Sequence, residues 1–305
     1  MVNFSELISN IGNRIPIIVG PTGVGKTKFA ISLAKEINGE IISVDSRQIY
    51  NGFIIGTAQP STSELNKIPH HLINCINPDE IISAGKYINL IKERIVYLQN
   101  KNKKPIIAGG TMLYVNSLCY GIINNADSNF KIRQKYEDMI YCGESKQLLE
   151  KLSIIDPEYA KKISINDHKK LVRAFEIYEI TGKAPSIVFD NQMKRDAKER
   201  STYYLIEMTI DRAVLRNKIH NRVLSMVYDG WVEEVENLIN SEMTRTAHPL
   251  QSVGYKQIIE YLNGDISKDE AIELISTKTW QYAKKQLTWL KKMDIDHQIK
   301  SEDLN

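Results

Sequence analysis

The residues Gly20-Pro21-Thr22-Gly23-Val24-Gly25-Lys26-Thr27 carry the spacing G-x-x-x-x-G-K-[ST]. They lie between the apolar run Ile15-Pro16-Ile17-Ile18-Val19 and an amphipathic stretch that begins at Lys28. These residue types in this order bind phosphate: glycines let backbone N–H groups wrap an anion, and the helix that follows turns its positive end inward. Lys26 neutralises the outer phosphate, and the Thr27 hydroxyl suits Mg²⁺. A turn that merely joined strand to helix would need neither Lys nor Thr after the last glycine. The loop therefore implies a phosphorylated ligand without saying which one, or what chemistry follows.

Two further segments bring reactive groups to the same place. The run Ile41-Ile42-Ser43-Val44-Asp45-Ser46 puts a carboxylate at the C-terminal end of a strand, where α/β proteins build their sites. Asp45 is suited to accept a proton from a nucleophile or to hold Mg²⁺ through water, and equally to cap the turn with Ser46. The run Pro105 to Ala108 leads into Gly109-Gly110-Thr111, a hydroxyl behind two permissive backbone positions. No acidic residue ends that strand, which weighs against ATP hydrolysis of the common kind.

Positive charge is local. Lys161, Lys162, His168, Lys169, Lys170 and Arg173 fall close together, and Lys278, Lys284, Lys285, Lys291 and Lys292 are interleaved with Trp280, Tyr282 and Trp289. Such mixtures suit an RNA backbone with unstacked bases, although a charge run is more often a solvated helix face. Arg212, Arg216 and Arg222 share one predicted helix, and at most one of them is expected at the phosphate pocket. His70-His71 has no third ligand at metal spacing and reads as structural or as a substrate-side hydrogen bonder.

The elements that must position these groups follow from periodicity. Short β-rich runs (Ile15 to Val19, Glu40 to Val44, Pro105 to Ala108) alternate with helical stretches such as Ala84 to Asn100, which is the pattern of a parallel α/β sheet. From about 124 to 200 the apolar spacing is helical with no clear strand, ending in a charged segment from Asn191 to Arg200. Tyr203 to Ile210 then reads as a strand returning to the sheet, followed by helices over Asp211 to Tyr228, Trp231 to Ile239 and Lys268 to Lys292. The expected architecture is an α/β P-loop NTPase-like core with a parallel sheet flanked by helices (residues 1–123 and 201–305) and an all-α insertion domain (124–200).

The chain has 305 residues, 42% hydrophobic and 25% charged, enough for a sizeable core, and its net charge of +3 is too small to argue for a nucleic-acid partner by itself. Three dispersed cysteines, Cys75, Cys119 and Cys142, support neither a disulfide framework nor a metal site. No leader pattern or membrane-length apolar run is present, so the expectation is a cytoplasmic, monomeric protein with no membrane association.

Taken together, the motifs resemble the tRNA dimethylallyltransferases, also called tRNA isopentenyltransferases. The resemblance runs from about Ile17 to Leu290 through GPTGVGKT (Gly20 to Thr27), SVDSRQIY (Ser43 to Tyr50), IGTAQP (Ile55 to Pro60), PHHL (Pro69 to Leu72) and SAGKY (Ser83 to Tyr87). It continues through GGTMLY (Gly109 to Tyr114), NDHKKLVRAFEIY (Asn166 to Tyr178), QSVGYKQ (Gln251 to Gln257) and AKKQLTWL (Ala283 to Leu290). A phosphate loop alone is a weak family signal, whereas this ordered set is specific.

The resemblance implies transfer of a dimethylallyl group from dimethylallyl diphosphate to N6 of the adenosine 3′-adjacent to the anticodon of a tRNA. In such a family Gly20, Pro21, Thr22, Gly23, Val24, Gly25, Lys26 and Thr27 hold a diphosphate leaving group, with Mg²⁺ near Thr27. Arg222 corresponds to a phosphate-contacting arginine, Asp45 to the proton acceptor and Thr111 to a hydroxyl on the target nucleotide. The tRNA anticodon stem-loop would be met by Asp45, Ser46, Arg47 and Gln48, by Thr111 and Arg133, by Lys169, Lys170, Leu171, Val172 and Arg173, and by Gln251, Ser252, Val253, Gly254, Tyr255 and Lys256. The chain departs from the family pattern at Trp280 and Lys285, where arginines are usual, at Lys86 for an acidic residue, and at Asn74 for an aspartate. Two other functions share parts of the pattern: a P-loop small-molecule or nucleotide kinase with Asp45 as base, and a nucleotide-gated RNA-binding protein. The QSVGYK and AKKQLTWL segments oppose the first, and Asp45 beside Thr111 opposes the second.

Overall fold

The computed structural model describes residues 2–121, 129–241 and 248–304, without side chains at 191–198. The chain divides into two compact units, one comprising Met1–Asn116 and Thr202–Asn305, the other Ser117–Ser201. The expected boundary at 123/124 lies outside the described residues.

In the first unit the elements run α1 (Phe4–Ile11), β1 (Ile15–Val19), α2 (Lys26–Glu36), β2 (Gly39–Val44), α3 (Thr62–Lys67), β3 (His70–His71), α4 (Ala84–Asn100), β4 (Lys104–Gly109) and the start of α5 (Met112–Tyr120). Helices α6 (Phe130–Tyr141), α7 (Ser145–Ile155), α8 (Pro157–Ala160), α9 (His168–Thr181) and α10 (Pro185–Arg200) belong to the second unit. The chain then re-enters the first as β5 (Tyr203–Thr209), α11 (Arg212–Tyr228), α12 (Trp231–Asn240), α13 (Tyr255–Leu262), α14 (Lys268–Leu290) and β6 (His297–Lys300).

The six strands form one sheet in the order β3-β2-β4-β1-β5-β6, every pairing parallel. Central β1 is buried at all five positions, as a strand covered on both faces must be. One face packs Ile18, Ile41, Ile106 and Ile206 against Leu7, Phe29 and Leu33 of α1 and α2. Each such fully buried aliphatic side chain contributes about 1.5–3 kcal/mol through removal from water.

Sequence periodicity anticipated β1, β2, β4, β5, α4, α11, α12 and α14, with Asp211 serving as the side-chain N-cap of α11 through the amides of Ala213 and Val214. It did not anticipate the edge strands β3 and β6, or α13. His70-His71 is thus strand: His71 Nε2 lies 2.7 Å from Glu40 Oε2, and His70 Nδ1 lies 2.8 Å from the Ile68 carbonyl. The charged segment from Asn191 to Arg200 is helical and forms the C-terminal part of α10.

The second unit has its own core. Leu148, Leu152, Leu171 and Phe175 pack together, and Tyr136 stacks on Phe175 at 4.6 Å between ring centroids. Among the described residues no helix is long and apolar enough to cross a membrane.

Candidate active site

Adjacent strands β2, β4 and β1 end at one edge of the sheet, so three loops converge there: Gly20 to Thr27, Asp45 to Gln48, and Gly110-Thr111. A cavity of about 470 Å³ opens between them, lined by Lys26, Thr27, Asp45, Gly109 and, from α11, Arg222. Of the three arginines on α11, Arg222 is the one at this cavity, and Lys218, four residues earlier and so on the same helix face, joins it.

The electrostatics suit an anion. Lys26 opens α2 and its Nζ donates to the carbonyls of Gly20 (3.0 Å) and Pro21 (2.9 Å). Burial, reinforced by Arg222 and opposed by Asp45, pulls the Lys26 ammonium down to about 7. Burial also lowers the Arg222 guanidinium from its ordinary value, with Asp45 opposing. Two cations stripped of water beside each other are relieved by a bound polyanion.

Asp45 is held from three sides. Its Oδ1 accepts the amides of Arg47 (2.8 Å) and Gln48 (3.3 Å), so the capping role is met while the carboxylate still lines the cavity. Beneath it the Tyr87 hydroxyl lies 3.1 Å from the carbonyls of Ser43 and Asp45 and accepts the Asp45 amide at 3.3 Å. Burial and then the charge of Asp45 push the Tyr87 phenol well up, which keeps it a neutral donor. Thr111 stands on the other side, its Oγ1 accepting the Ser46 amide at 3.0 Å. No group of three or more His, Cys, Asp or Glu converges among the described residues, and Thr27 and Asp45 both line the cavity.

A model of the IPP transferase family matches residues 48–293 of the chain. The tRNA dimethylallyltransferase of Thermoanaerobacter sp. (strain X514) is 41% identical over 282 residues, covering 92% of this chain and 90% of that protein. The chain belongs to the IPP transferase family. Among solved structures, the tRNA delta(2)-isopentenylpyrophosphate transferase of Staphylococcus epidermidis is 35% identical, with a TM-score of 0.67 over 95% of this chain and 94% of that one. A eukaryotic dimethylallyltransferase acting on tRNA is 27% identical, with a TM-score of 0.82 over 96% and 75% of the two chains.

Within this member of the IPP transferase family several motifs acquire a physical reason. The Tyr of SAGKY is the support under Asp45. The glycines of IGTAQP and QSVGYKQ clasp one buried tryptophan: a Cβ at Gly56 would lie 2.0 Å from Trp231 Nε1, and one at Gly254 would lie 2.1 Å from Trp231 Cη2. From the next turn of α12, Glu234 gathers the amides of Ile54 (3.0 Å), Ile55 (2.6 Å) and Gly56 (3.1 Å) and the Tyr255 hydroxyl (2.7 Å). This anchors the loop whose Thr57 and Ala58 form a cavity wall. Neither Trp231 nor Glu234 stood out in the sequence.

The predicted outer contacts divide by exposure. Lys169, Lys170, Val253 and Lys256 are exposed, and Arg133 and Arg173 are half-exposed. The side chains of Leu171 and Val172 instead belong to the core of the second unit, because they share the face of α9 that carries Phe175. Gly254 and Tyr255 are buried around Trp231, and the Gln48 carboxamide is engaged with Ser43 Oγ and the carbonyls of Thr57 and Ala58. Arg47 NH1 lies 2.9 Å from His248 Nδ1. Trp280, which stands where an arginine is usual in the family pattern, packs against Leu215, Ile219 and Ala283. Tyr282, read in the sequence only as one of the aromatics among the C-terminal lysines, and Gln286, which was not singled out, both line the cavity from α14, their four-residue spacing marking one helix face.

Proposed function

We propose that the chain transfers the dimethylallyl group of dimethylallyl diphosphate to N6 of the adenosine 3′-adjacent to the anticodon in tRNA. The observation that carries this reading is the opposition, around one cavity, of Lys26 and Arg222 to Asp45. Breaking the allylic C–O bond leaves a diphosphate whose charge the loop amides, Lys26 and Arg222 stabilise. The N6 nitrogen forms the new bond to that carbon and gives up one proton, for which Asp45 is the acceptor. The target base must leave its stack to enter the cavity. The Thr27 hydroxyl would hold Mg²⁺, which when bound would supply positive charge at the leaving group.

The second unit serves this reading as the grip on the anticodon stem-loop, through exposed Lys169 and Lys170 and the half-exposed guanidiniums of Arg133 and Arg173. The names of the relatives, tRNA dimethylallyltransferases and a dimethylallyltransferase acting on tRNA, support the substrate pair. The test is incubation with labelled dimethylallyl diphosphate and unmodified tRNA, expecting label on one adenosine. An unlabelled tRNA with ATP consumed instead overturns the reading in favour of a kinase.

A further inference from the structure

The diphosphate cradle and the turn that carries Asp45 belong to different loops, and one side chain joins the first loop to the framework of the second. Gln286 is 3% exposed near the end of α14. Its Oε1 accepts the Thr22 amide of the phosphate loop at 2.9 Å, and its Nε2 donates to the Gly110 carbonyl at 2.8 Å. One turn earlier on the same helix, the Tyr282 hydroxyl donates to that carbonyl at 3.3 Å. The next residue, Thr111, accepts the Ser46 amide, and its own amide donates to the Val44 carbonyl at 3.3 Å. A continuous path thus runs from Thr22 through Gln286, Gly110 and Thr111 to the Asp45 turn.

We propose that Gln286 is a positioning residue that sets the spacing between the departing diphosphate and the carboxylate that receives the proton. The proposal rests on the prenyl-transfer reading above. A carboxamide is the group the position requires, because it offers an acceptor and a donor in one plane without charge. A glutamate there would lose the donor and bring a negative charge to a cavity whose cations serve an anion. The close approach is built in: a Cβ on residue 110 would lie 2.4 Å from Gln286 Nε2. Since Gln286 takes the Thr22 amide, the phosphate-facing amides are those nearer the start of α2. The two reacting partners sit on separate loops, so their alignment depends on this joint.

The experiment compares wild type with Gln286→Met, close in volume but without either hydrogen bond, and Gln286→Glu, all as full chains. Gln286→Met is expected to lower kcat for transfer about 10- to 100-fold, the size of effect that misalignment of about 1 Å produces. Dissociation constants for tRNA and dimethylallyl diphosphate should stay within about threefold, because binding contacts remain. The misaligned site should also release more dimethylallyl alcohol per transfer: the same C–O bond breaks, water supplies the new C–O bond, and its proton goes to solvent. In Gln286→Glu, protonation restores an O–H donor toward Gly110, so its transfer rate relative to wild type at each pH should climb as pH falls. A flat ratio, an unchanged kcat in Gln286→Met, or a raised KM for the diphosphate at constant kcat each overturns the positioning role. Should Gln286→Met fail to fold, the Gln286→Glu ratio decides alone. Absence of transfer in wild type overturns the function itself, whereas normal transfer in the variants overturns only this inference.

Discussion

Burial treats charge in opposite ways in the two units. In the cavity of the first, Lys26 and Arg222 lose hydration side by side, and burial pulls the lysine down to about 7 against the pull of Asp45. In the second, Glu176 is 0% exposed, yet it accepts hydrogen bonds from Arg133 Nε (2.8 Å), Arg173 NH1 (2.6 Å) and the Asn129 amide (2.8 Å). Burial alone would raise the Glu176 carboxyl, but these donors outweigh it and hold the group below the usual range. A buried cation short of anions is a place prepared for one. A buried anion already enclosed by donors is a fixture, and what it fixes is the pair of arginines around it.

The sharpest way to break the first half of this comparison is at its carboxylate. Asp45→Asn keeps an oxygen for the amides of Arg47 and Gln48 and so keeps the turn, while removing the proton acceptor. Single-turnover transfer should fall about 10²- to 10⁴-fold with tRNA affinity unchanged; a near-normal rate would show that the carboxylate only shapes the loop. Arg222→Gln should cost about 10²- to 10³-fold in transfer, through lost stabilisation of the leaving group. Because Arg222 helps to depress Lys26, the same substitution should move the lysine's titration upward, and an unmoved pH profile would separate the two cations.

The second half is tested through stability. Glu176→Ala removes three hydrogen bonds, from Arg133, Arg173 and the Asn129 amide, and because both arginines reach solvent the loss should be about 1–3 kcal/mol in urea unfolding. The folded carboxyl titrates below its ordinary value, so this contribution is complete above about pH 4.3 and disappears as pH falls through the lower folded value. The difference between Glu176→Ala and wild type should therefore shrink in acid; a difference independent of pH would mean that Glu176 acts by packing rather than by charge.

The same contrast explains what was legible beforehand. The phosphate loop could be read because its chemistry lies in eight consecutive residues, and the strands beside it because they are buried on both faces. Arg222 needed family resemblance to be told from Arg212 and Arg216, since periodicity alone does not say which side of α11 meets the sheet edge. Gln286 and Glu234 stayed hidden because their partners are 264 and about 180 residues away, and nothing local marks such a pairing. The two-residue β3 and four-residue β6 are held by edge pairing with β2 and β5 rather than by their own patterns. Leu171 and Val172 lie in the core of the second unit, and a motif matched as a block carries such core residues along with its exposed ones.

A smaller effect sharpens the claim that the cavity awaits an anion. Burial pulls Lys26 down to about 7, so diphosphate binding near neutral pH should be accompanied by partial proton uptake, and affinity should weaken by at most about tenfold per pH unit above that point. Calorimetry in buffers of different ionisation heat measures the uptake directly. Lys26→Arg, charged throughout, should abolish it, and an equal uptake in this variant would assign the proton elsewhere.

The smallest effects belong to the exposed lysines of the second unit, where no buried partner amplifies a charge. Lys169 and Lys170 are both exposed, but Lys170 already lies 2.9 Å from Asp167. An exposed pair of this kind is worth about 0–1 kcal/mol, so RNA phosphate can displace the aspartate, though against its charge. Lys169→Ala should therefore weaken tRNA binding a few-fold and reduce the dependence of log K on log salt by about one ion. Lys170→Ala should do less, and Asp167→Asn should tighten binding by freeing Lys170. Filter binding across a salt series separates the three. If all leave the slope unchanged, the grip proposed for these lysines fails.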